Sequence, residues 1–425
     1  MGRPLIWPAL LMSGFAMVTL LFLPSCAPLL PLQTEPVFAP SSAEAIPESF
    51  TVVTWNVWHG LDTGEFWVTP AESPEENQAR VQHQVAQLAA ERPDVIFLQE
   101  VNPLPDRALA YVEGLKAKGL PYRQVHQVDA CGIRRRGGSG LIPGLNNGLV
   151  ILAKEELQLQ KLDGLKLSGD LGQCESKSGY QLEELRYGLI AEITVPGTTM
   201  KYLVVSVHLH SGFEAGTPFL SQVGALYEQG RFARYPWLQW NIEQSRLRRI
   251  GELDVLMRDL YRRSRENRYA GIVIGGDFNF ESDFLEYEEA VMLRLHDTYT
   301  SATHTGDFST ADPMRNARID PRASLVTPKE LEREIAGESE EAQEAIRAAY
   351  RTEMTRPRRI DYLFANGFFP DHCLRQELFG TGTNAAGFPA SDHFGILSRY
   401  TRDLSLCRQQ ARPADPASSV APGAR

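Results

Sequence analysis

The chain has 425 residues, of which 43% are hydrophobic and 23% charged, and a formal net charge of −10. This is the composition of a globular protein, and its acidic balance excludes a strongly basic surface able to hold nucleic acid non-specifically, while leaving a local basic patch open. The length suffices for two or three average domains, although large two-layer β folds use as much chain in one.

Residues 1–26, MGRPLIWPALLMSGFAMVTLLFLPSC, carry one basic residue, Arg3, then a long apolar stretch, then small residues. That is the layout of an export signal, and it is set aside from the fold. Its ending, LPSC, resembles a bacterial lipoprotein cleavage box with Cys26 as the lipid-bearing residue, although Pro24 departs from the usual pattern. An uncleaved anchor is the alternative, since Leu5 to Leu23 is nearly long enough to cross a bilayer. The body is expected outside the cytoplasm, as a membrane-tethered lipoprotein in the periplasm or at the cell surface, or else secreted. Residues 27–49, rich in Pro, Ser and Ala without periodicity, read as a tether. Of the other cysteines, Cys131–Cys174 and Cys373–Cys407 are the expected disulfides, each pair within one sequence neighbourhood, although four cysteines allow three pairings and buried free thiols are the alternative.

Folded structure is expected from Phe50. FTVVTWNVW (Phe50 to Trp58) is dense in β-branched and aromatic residues and predicts a buried strand. Val81, Val85, Leu88 and Ala89 fall at helical spacing between Asn77 and Glu91, and RPD then breaks the helix before a second strand, VIFLQE (Val95 to Glu100). Strand, helix and strand in this order predict a crossover between neighbours of one sheet. Further strands are read at GLVILAK (Gly148 to Lys154), YGLIAEITV (Tyr187 to Val195) and MKYLVVSVHLH (Met200 to His210). A helix from about Asn241 to Tyr261, with Leu247, Ile250, Met257 and Leu260 on its apolar side, leads to the strand GIVIGGDFN. The last strands are RIDYLFA (Arg359 to Ala365) and HFGILSRY (His393 to Tyr400).

Helices are few between these strands, which predicts two packed sheets with helices outside. Three stretches interrupt the plan. One near residues 131–181 reads as a long glycine-rich loop carrying Arg134, Arg135 and Arg136; one near 211–240 is aromatic with little periodicity; one near 300–358 contains a very polar helix. A single domain over residues 50–407 is expected, followed by a disordered tail at 408–425.

Chemistry collects at the strand ends. In GGDFNFESD, Asp277 and Asn279 would share one face of an extended strand with Phe278 opposite, and the paired glycines would let a group such as a phosphate or bound metal approach the backbone. Other strand ends present Asn56, Glu100, His208 with His210, Asp361, and Asp392 with His393. Each alone has an ordinary explanation: a turn cap for Asn56, a surface carboxylate for Glu100, a satisfied core histidine for His208. Together, polar groups flanked by apolar residues must meet and satisfy one another. Carboxylates, amides and imidazoles without a cysteine suit a hard cation, Mg²⁺ with Mn²⁺ or Ca²⁺ as alternatives, and a phosphate.

TWNVW, LQE, VSVHLH, GGDFN, RIDYLF and SDHF, in this order, resemble the endonuclease/exonuclease/phosphatase superfamily over roughly Phe50 to Tyr400, the three insertions excepted. The resemblance implies an α/β fold: a four-layer α/β/β/α sandwich of two mixed β-sheets flanked by helices, with the active site at one end. It further implies Glu100 as the principal Mg²⁺ ligand, with Asn56 beside it and Asp392 completing the metal side. Asp277 would orient or deprotonate the attacking water, and Asn279 would bind a phosphate oxygen. His393 would contact the scissile phosphate with Asp361 fixing its tautomer, and His208 would serve the leaving group or transition-state charge.

The expected activity is metal-dependent phosphodiester hydrolysis by a monomer outside the cytoplasm, on a phospholipid or sphingolipid headgroup. VHLHSG is similar to a segment of some neutral sphingomyelinases, and the aromatic stretch after it would suit a membrane interface. A secreted nuclease, with nucleic acid as partner, is the alternative, for which Arg134 to Arg136 would line a groove. A sugar or inositol phosphatase, or an inactive binding protein on the same fold, are further ones.

Overall fold

The computed structural model describes residues 47–62, 69–131, 146–169, 171–174, 179–181, 185–211, 218–304, 308–318, 331–332, 335–384, 387–403 and 405. All belong to one compact unit, Phe38–Arg425. Residues 1–26, expected to be an export signal ending in Cys26, nearly all of the expected tether, Arg134 to Arg136, and Cys407 with the chain after it lie outside the described residues. Among the described residues no helix is long and apolar enough to cross a membrane.

One mixed sheet contains β1 (Ser49–Asn56), β4 (Val95–Gln99), β5 (Tyr122–Cys131), β6 (Asn146–Lys154), β14 (Thr303–His304), β16 (Cys373–Phe379) and β17 (Gly395–Thr401), in the order β14-β16-β17-β1-β4-β6-β5. The other contains β7 (Gln160–Ser168), β10 (Arg186–Thr194), β11 (Lys201–His208), β12 (Gly271–Asp277), β13 (His296–Asp297) and β15 (Asp361–Asn366), in the order β13-β15-β12-β11-β10-β7. Two short ribbons, β2 (Leu61–Asp62) with β3 (Thr69–Pro70) and β8 (Gly172–Cys174) with β9 (Gly179–Gln181), stand apart. The helices are α1 (Pro74–Glu91), α2 (Asp106–Ala117), α3 (Pro218–Glu228), α4 (Tyr235–Asn267), α5 (Leu285–Met292), α6 (Thr298–Ser301) and α7 (Glu340–Met354).

Strand alternation builds the layers. In β4, Val95 and Phe97 face the space between the sheets, while Ile96 and Leu98 face outward beneath Val81, Val85 and Leu88 of α1 and Tyr111 and Leu115 of α2. In β12, Val273 points between the sheets and Ile272 and Ile274 point out against Leu253, Leu256, Met257 and Leu260 of α4. The result is helices, sheet, sheet, helices, with three apolar interfaces. Local chemistry agrees: Ser73 and Glu76 form a capping box ahead of α1, Pro74 opens it, and Arg92 closes it in the left-handed region. The predicted crossover holds, with β1 and β4 paired in parallel through α1.

Gly275 and Gly276 serve packing. A Cβ on Gly275 would lie 2.5 Å from the Phe97 ring of the opposing sheet, and one on Gly276 would lie 2.1 Å from Val207 O. The expected approach of a phosphate or metal is therefore replaced by close packing between and within the sheets.

The insertions differ from expectation. Within residues 131–181 the expected strand GLVILAK is present as β6, while β7 adds to the other sheet and β8 with β9 forms a ribbon; β5, β7 and β16 show no clear alternation because their faces are only partly apolar. The Cys131–Cys174 disulfide ties β5 to β8. Cys373 is also disulfide-bonded, and its expected partner Cys407 lies outside the described residues. The aromatic stretch folds as α3 and the first turns of α4, so that helix begins at Tyr235 and not near Asn241. Leu247, expected on its apolar side, is exposed. Phe219, Val223 and Leu226 of α3, Leu238 and Ile242 of α4, and Ile346, Ala349 and Tyr350 of α7 share one core. The second and third insertions, far apart in sequence, thus form a single helical cap.

Candidate active site

Four parallel-running strand ends meet at one end of the sandwich. Register places Asn56 beside Gln99, His208 beside Asp277, and Asp277 opposite Asp361. Fully buried Asn56 donates from Nδ2 to Glu100 Oε1 (3.1 Å) and, across the sandwich, to Asp277 Oδ2 (3.0 Å), while its Oδ1 accepts from Trp58 N (3.1 Å). Asn56 therefore meets the site as a donor that spaces two carboxylates. Its Oδ1, which accepts that one N–H, keeps a second lone pair.

Asp277 Oδ2 is flanked by two imidazoles, with His208 Nε2 at 3.7 Å and His393 Nε2 at 3.9 Å. His393 Nδ1 lies 2.8 Å from Asp361 Oδ2, and Asp361 is wholly buried. Asn279 reaches the site differently from the strand alternation predicted: the strand ends at Asp277, Asn279 adopts a φ of 53°, and its N–H donates to Asp277 Oδ1 (3.0 Å). This is an Asx-type turn. Asn279 Nδ2 donates to Leu209 O (3.0 Å), which leaves its second N–H for another acceptor. His210 is held elsewhere, its N–H on Glu252 Oε2 (2.8 Å) and its Nε2 3.4 Å from Ser245 Oγ on α4.

Four residues that the sequence reading left aside hold this arrangement. Thr310 Oγ1 accepts from Ile360 N and Asp361 N (both 3.2 Å), and its carbonyl accepts from Phe394 N (2.7 Å), clamping β15 to the His393 loop. Asn316 Nδ2 donates to the carbonyls of Ser391 and Asp392 (both 2.9 Å). Ser391 Oγ donates to Asn56 O (2.6 Å) and accepts from His393 N (3.2 Å). His59 donates its backbone N–H to Glu100 Oε2 (3.1 Å). Thr310 and Asn316 sit in the third insertion, where the polar composition carries no signal; His59 comes three residues after β1 ends, close to the kind of strand-end position that singles out His208.

The charges are poised for different tasks. Burial alone would raise Glu100, but the imidazoles of His59 and His208 with the Asn56 amide outweigh it and hold the carboxyl down to about 2. Burial, reinforced by the like charge of Asp361, raises Asp277 to about 7 against the pull of His393 and Asn56. Burial likewise raises Asp392, with the Glu100 charge adding to it. For His393 burial works downward, and the charge and hydrogen bond of Asp361 overcome it, so the imidazole titrates well above its ordinary value. At neutral pH the site thus holds an ionised Glu100, an Asp277 able to exchange a proton, and a charged His393.

The donors fit a divalent cation. Glu100 is ionised, partly exposed, and holds one N–H on each oxygen, which leaves lone pairs for an ion; Asp392 lies in its field, and every donor atom is a hard oxygen. Ligand atoms of Asp277, Asp361 and His393 also lie within 4.8 Å of one another. Of the Asp361 oxygens, Oδ2 faces His393 Nδ1, the mark of a proton-handling pair, while buried Oδ1 has no hydrogen-bond partner among the described residues.

The sequence matches the family model described as Endonuclease/Exonuclease/phosphatase family over residues 53–393. Among solved structures, the chain is similar to truncated TDP2 of Caenorhabditis elegans, with 17% identity, a TM-score of 0.50, and coverage of 83% of this chain and 98% of that one. It is also similar to an endonuclease/exonuclease/phosphatase family protein of Bacteroides thetaiotaomicron, with 14% identity, a TM-score of 0.50, and coverage of 84% and 98%. A mannosyl-6-phosphatase of the same organism has 13% identity and a TM-score of 0.47, with coverage of 82% and 98%. Among curated proteins there is no significant match. At these identities structural likeness speaks for the fold, whereas the matched span runs from β1 to His393 and takes in every residue of the site. The chain belongs to the endonuclease/exonuclease/phosphatase family, whose members are hydrolases of phosphoesters.

Proposed function

We propose that the protein is an exported, metal-dependent phosphodiesterase acting on a phospholipid or sphingolipid headgroup. The observation that carries the hydrolase reading is the single carboxylate oxygen, Asp277 Oδ2, set between the Nε2 atoms of His208 and His393 with Asp361 behind the latter. A carboxyl titrating near 7 is matched to accepting a proton from water at neutral pH. In this mechanism Asp277 orients and deprotonates the water. Charged His393 and the free N–H of Asn279 donate to phosphoryl oxygens as negative charge builds, and His208 serves the leaving oxygen. Glu100 and Asp392 would hold the divalent cation, which when bound supplies Lewis acidity at the phosphoryl group. Asp361 keeps the His393 ring in one orientation and charged, a role that needs burial and a short contact, and it has both.

The lipid reading is supported by the cap. α3 starts shortly after His208 and α7 ends shortly before Asp361, so the cap is carried by chain that leaves and re-enters the site. It exposes Tyr227 at 43%, Trp237 at 47% and Trp240 at 59%, residue types favoured where an apolar phase meets water.

The test is hydrolysis by the full chain, with Mg²⁺ or with chelator, of sphingomyelin and phosphatidylcholine vesicles, plasmid DNA and bis-p-nitrophenyl phosphate. Expected is metal-dependent release of the lipid headgroup, lost in Asp277→Ala and His393→Ala. In a Trp237→Ser, Trp240→Ser double variant the rate on vesicles should fall about tenfold further than the rate on bis-p-nitrophenyl phosphate, roughly the interfacial contribution of two aromatic anchors. Preference for plasmid DNA would replace the lipid reading with a nuclease, and cleavage of phosphomonoesters alone would replace it with a phosphatase.

A further inference from the structure

His59 takes no part in the chemistry above, yet it meets the cation side of the site. Its backbone N–H donates to Glu100 Oε2 (3.1 Å), and its ring Nε2 stands 3.7 Å from the same oxygen. Ring Nδ1 accepts from the backbone N–H of Leu61 (3.0 Å). An imidazole whose Nδ1 accepts carries its proton on Nε2, so the ring turns an N–H dipole toward Glu100 and has no lone pair there for an ion. At 3.7 Å this is an electrostatic contact and not a hydrogen bond.

The backbone is shaped for the contact. Trp58, just before His59, and Glu100 both adopt a φ of 59°, and each such non-glycine residue costs on the order of 1 kcal/mol. Asn102 Nδ2 reaches the His59 carbonyl (3.4 Å), and Asn56 holds the other Glu100 oxygen (3.1 Å). Both oxygens of Glu100 are thereby restrained by neighbours before any ion arrives.

We propose that His59 is a positioning residue of the cation site, holding Glu100 Oε2 with its backbone N–H and its ring Nε2–H so that the carboxylate is set in one orientation for a divalent cation. This rests on Glu100 as the cation's carboxylate. Groups that orient a ligand in this way are typically worth about 10-fold to 100-fold in metal affinity.

The test is Mn²⁺ binding to the full chain, followed by electron paramagnetic resonance of the free ion, with Mg²⁺ as competitor. His59→Ala should weaken Mn²⁺ binding about 10-fold, and His59→Gln, whose amide N–H can reach the same oxygen, should recover most of it. The Mg²⁺ concentration giving half-maximal hydrolysis should move by the same factors. Unchanged binding in His59→Ala overturns the proposal. So does a His59→Gln variant that melts like the wild type and binds as weakly as His59→Ala, since a side-chain N–H dipole turned toward that oxygen is then not what matters. Glu100→Gln separates the two readings: lost binding there with unchanged binding in His59→Ala removes His59 alone, whereas unchanged binding in Glu100→Gln removes the cation assignment and His59 with it.

Discussion

His393 Nδ1 and Asp361 Oδ2 lie 2.8 Å apart, and the pair joins the two sheets: Asp361 opens β15 in one, and His393 stands on the loop before β17 in the other. Asn56 and Asp277 bridge the sheets in the same way. The site therefore exists only when the sandwich is closed.

Replacing Asp361 with Asn should keep the fold and turn His393 toward its ordinary titration, because the charge that raises it is removed. Turnover is expected to fall about 10²-fold to 10⁴-fold with a much smaller change in KM. Steady-state kinetics with an NMR titration of the His393 ring would check both. An unaltered titration would show that Asp361 does not set the charge of His393.

Asp277 should make the metal-free protein less stable as pH rises. Its pKa is about 7 in the fold against an ordinary 3.8, so between these values the unfolded chain ionises this group first and binds fewer protons. Stability attributable to the group is thus full below about 3.8, declines across that window, and is lowest above 7. Asp277→Asn, which mimics the neutral acid, should be the more stable protein above pH 7 in chelator. Its advantage should grow from pH 4 to 7 and then level off, as measured by urea unfolding at a series of pH values.

Arg356 links the cap to the catalytic turn. It bonds Glu281 through Nη1 (2.6 Å) and Glu353 through Nη2 (2.7 Å), and both carboxylates are buried. Arg356→Met leaves two buried charges unpaired and should cost about 3–5 kcal/mol. Because Glu281 lies two residues beyond Asn279, KM should rise as well. Denaturant unfolding with kinetics on bis-p-nitrophenyl phosphate tests this, and a stability change under 1 kcal/mol would contradict it.

Chelation should abolish turnover without unfolding the protein, since the cores do not depend on Glu100 or Asp392. Added Mg²⁺ at about 100 times its dissociation constant should stabilise the fold by about 2.7 kcal/mol. Glu100→Gln should lose that increment. Thermal melts with and without Mg²⁺ provide the measurement.

Much of this was legible in the chain. Val95, Ile96, Phe97 and Leu98 alternate between two interfaces, and that alternation with its polar endings predicts strands that deliver Asn56, Glu100, His208 and Asp277 to one place. Ser73 and Glu76 announce α1 just as plainly. These are local properties, set by backbone period and capping over a few residues.

Tertiary structure decided the rest, because it depends on partners far away along the chain. Asn56 and Asp277 are 221 positions apart, and only their contact shows that the amide donates. Gly275 yields to the Phe97 ring of the other sheet, which no pattern around residue 275 encodes. Two insertions that look independent become one cap because Phe219 and Tyr350 complete the same core. His59 gains a role only once Glu100 is folded against it. Composition and periodicity determine which residues can be buried or exposed; the closing of one sheet on the other determines which donor meets which acceptor.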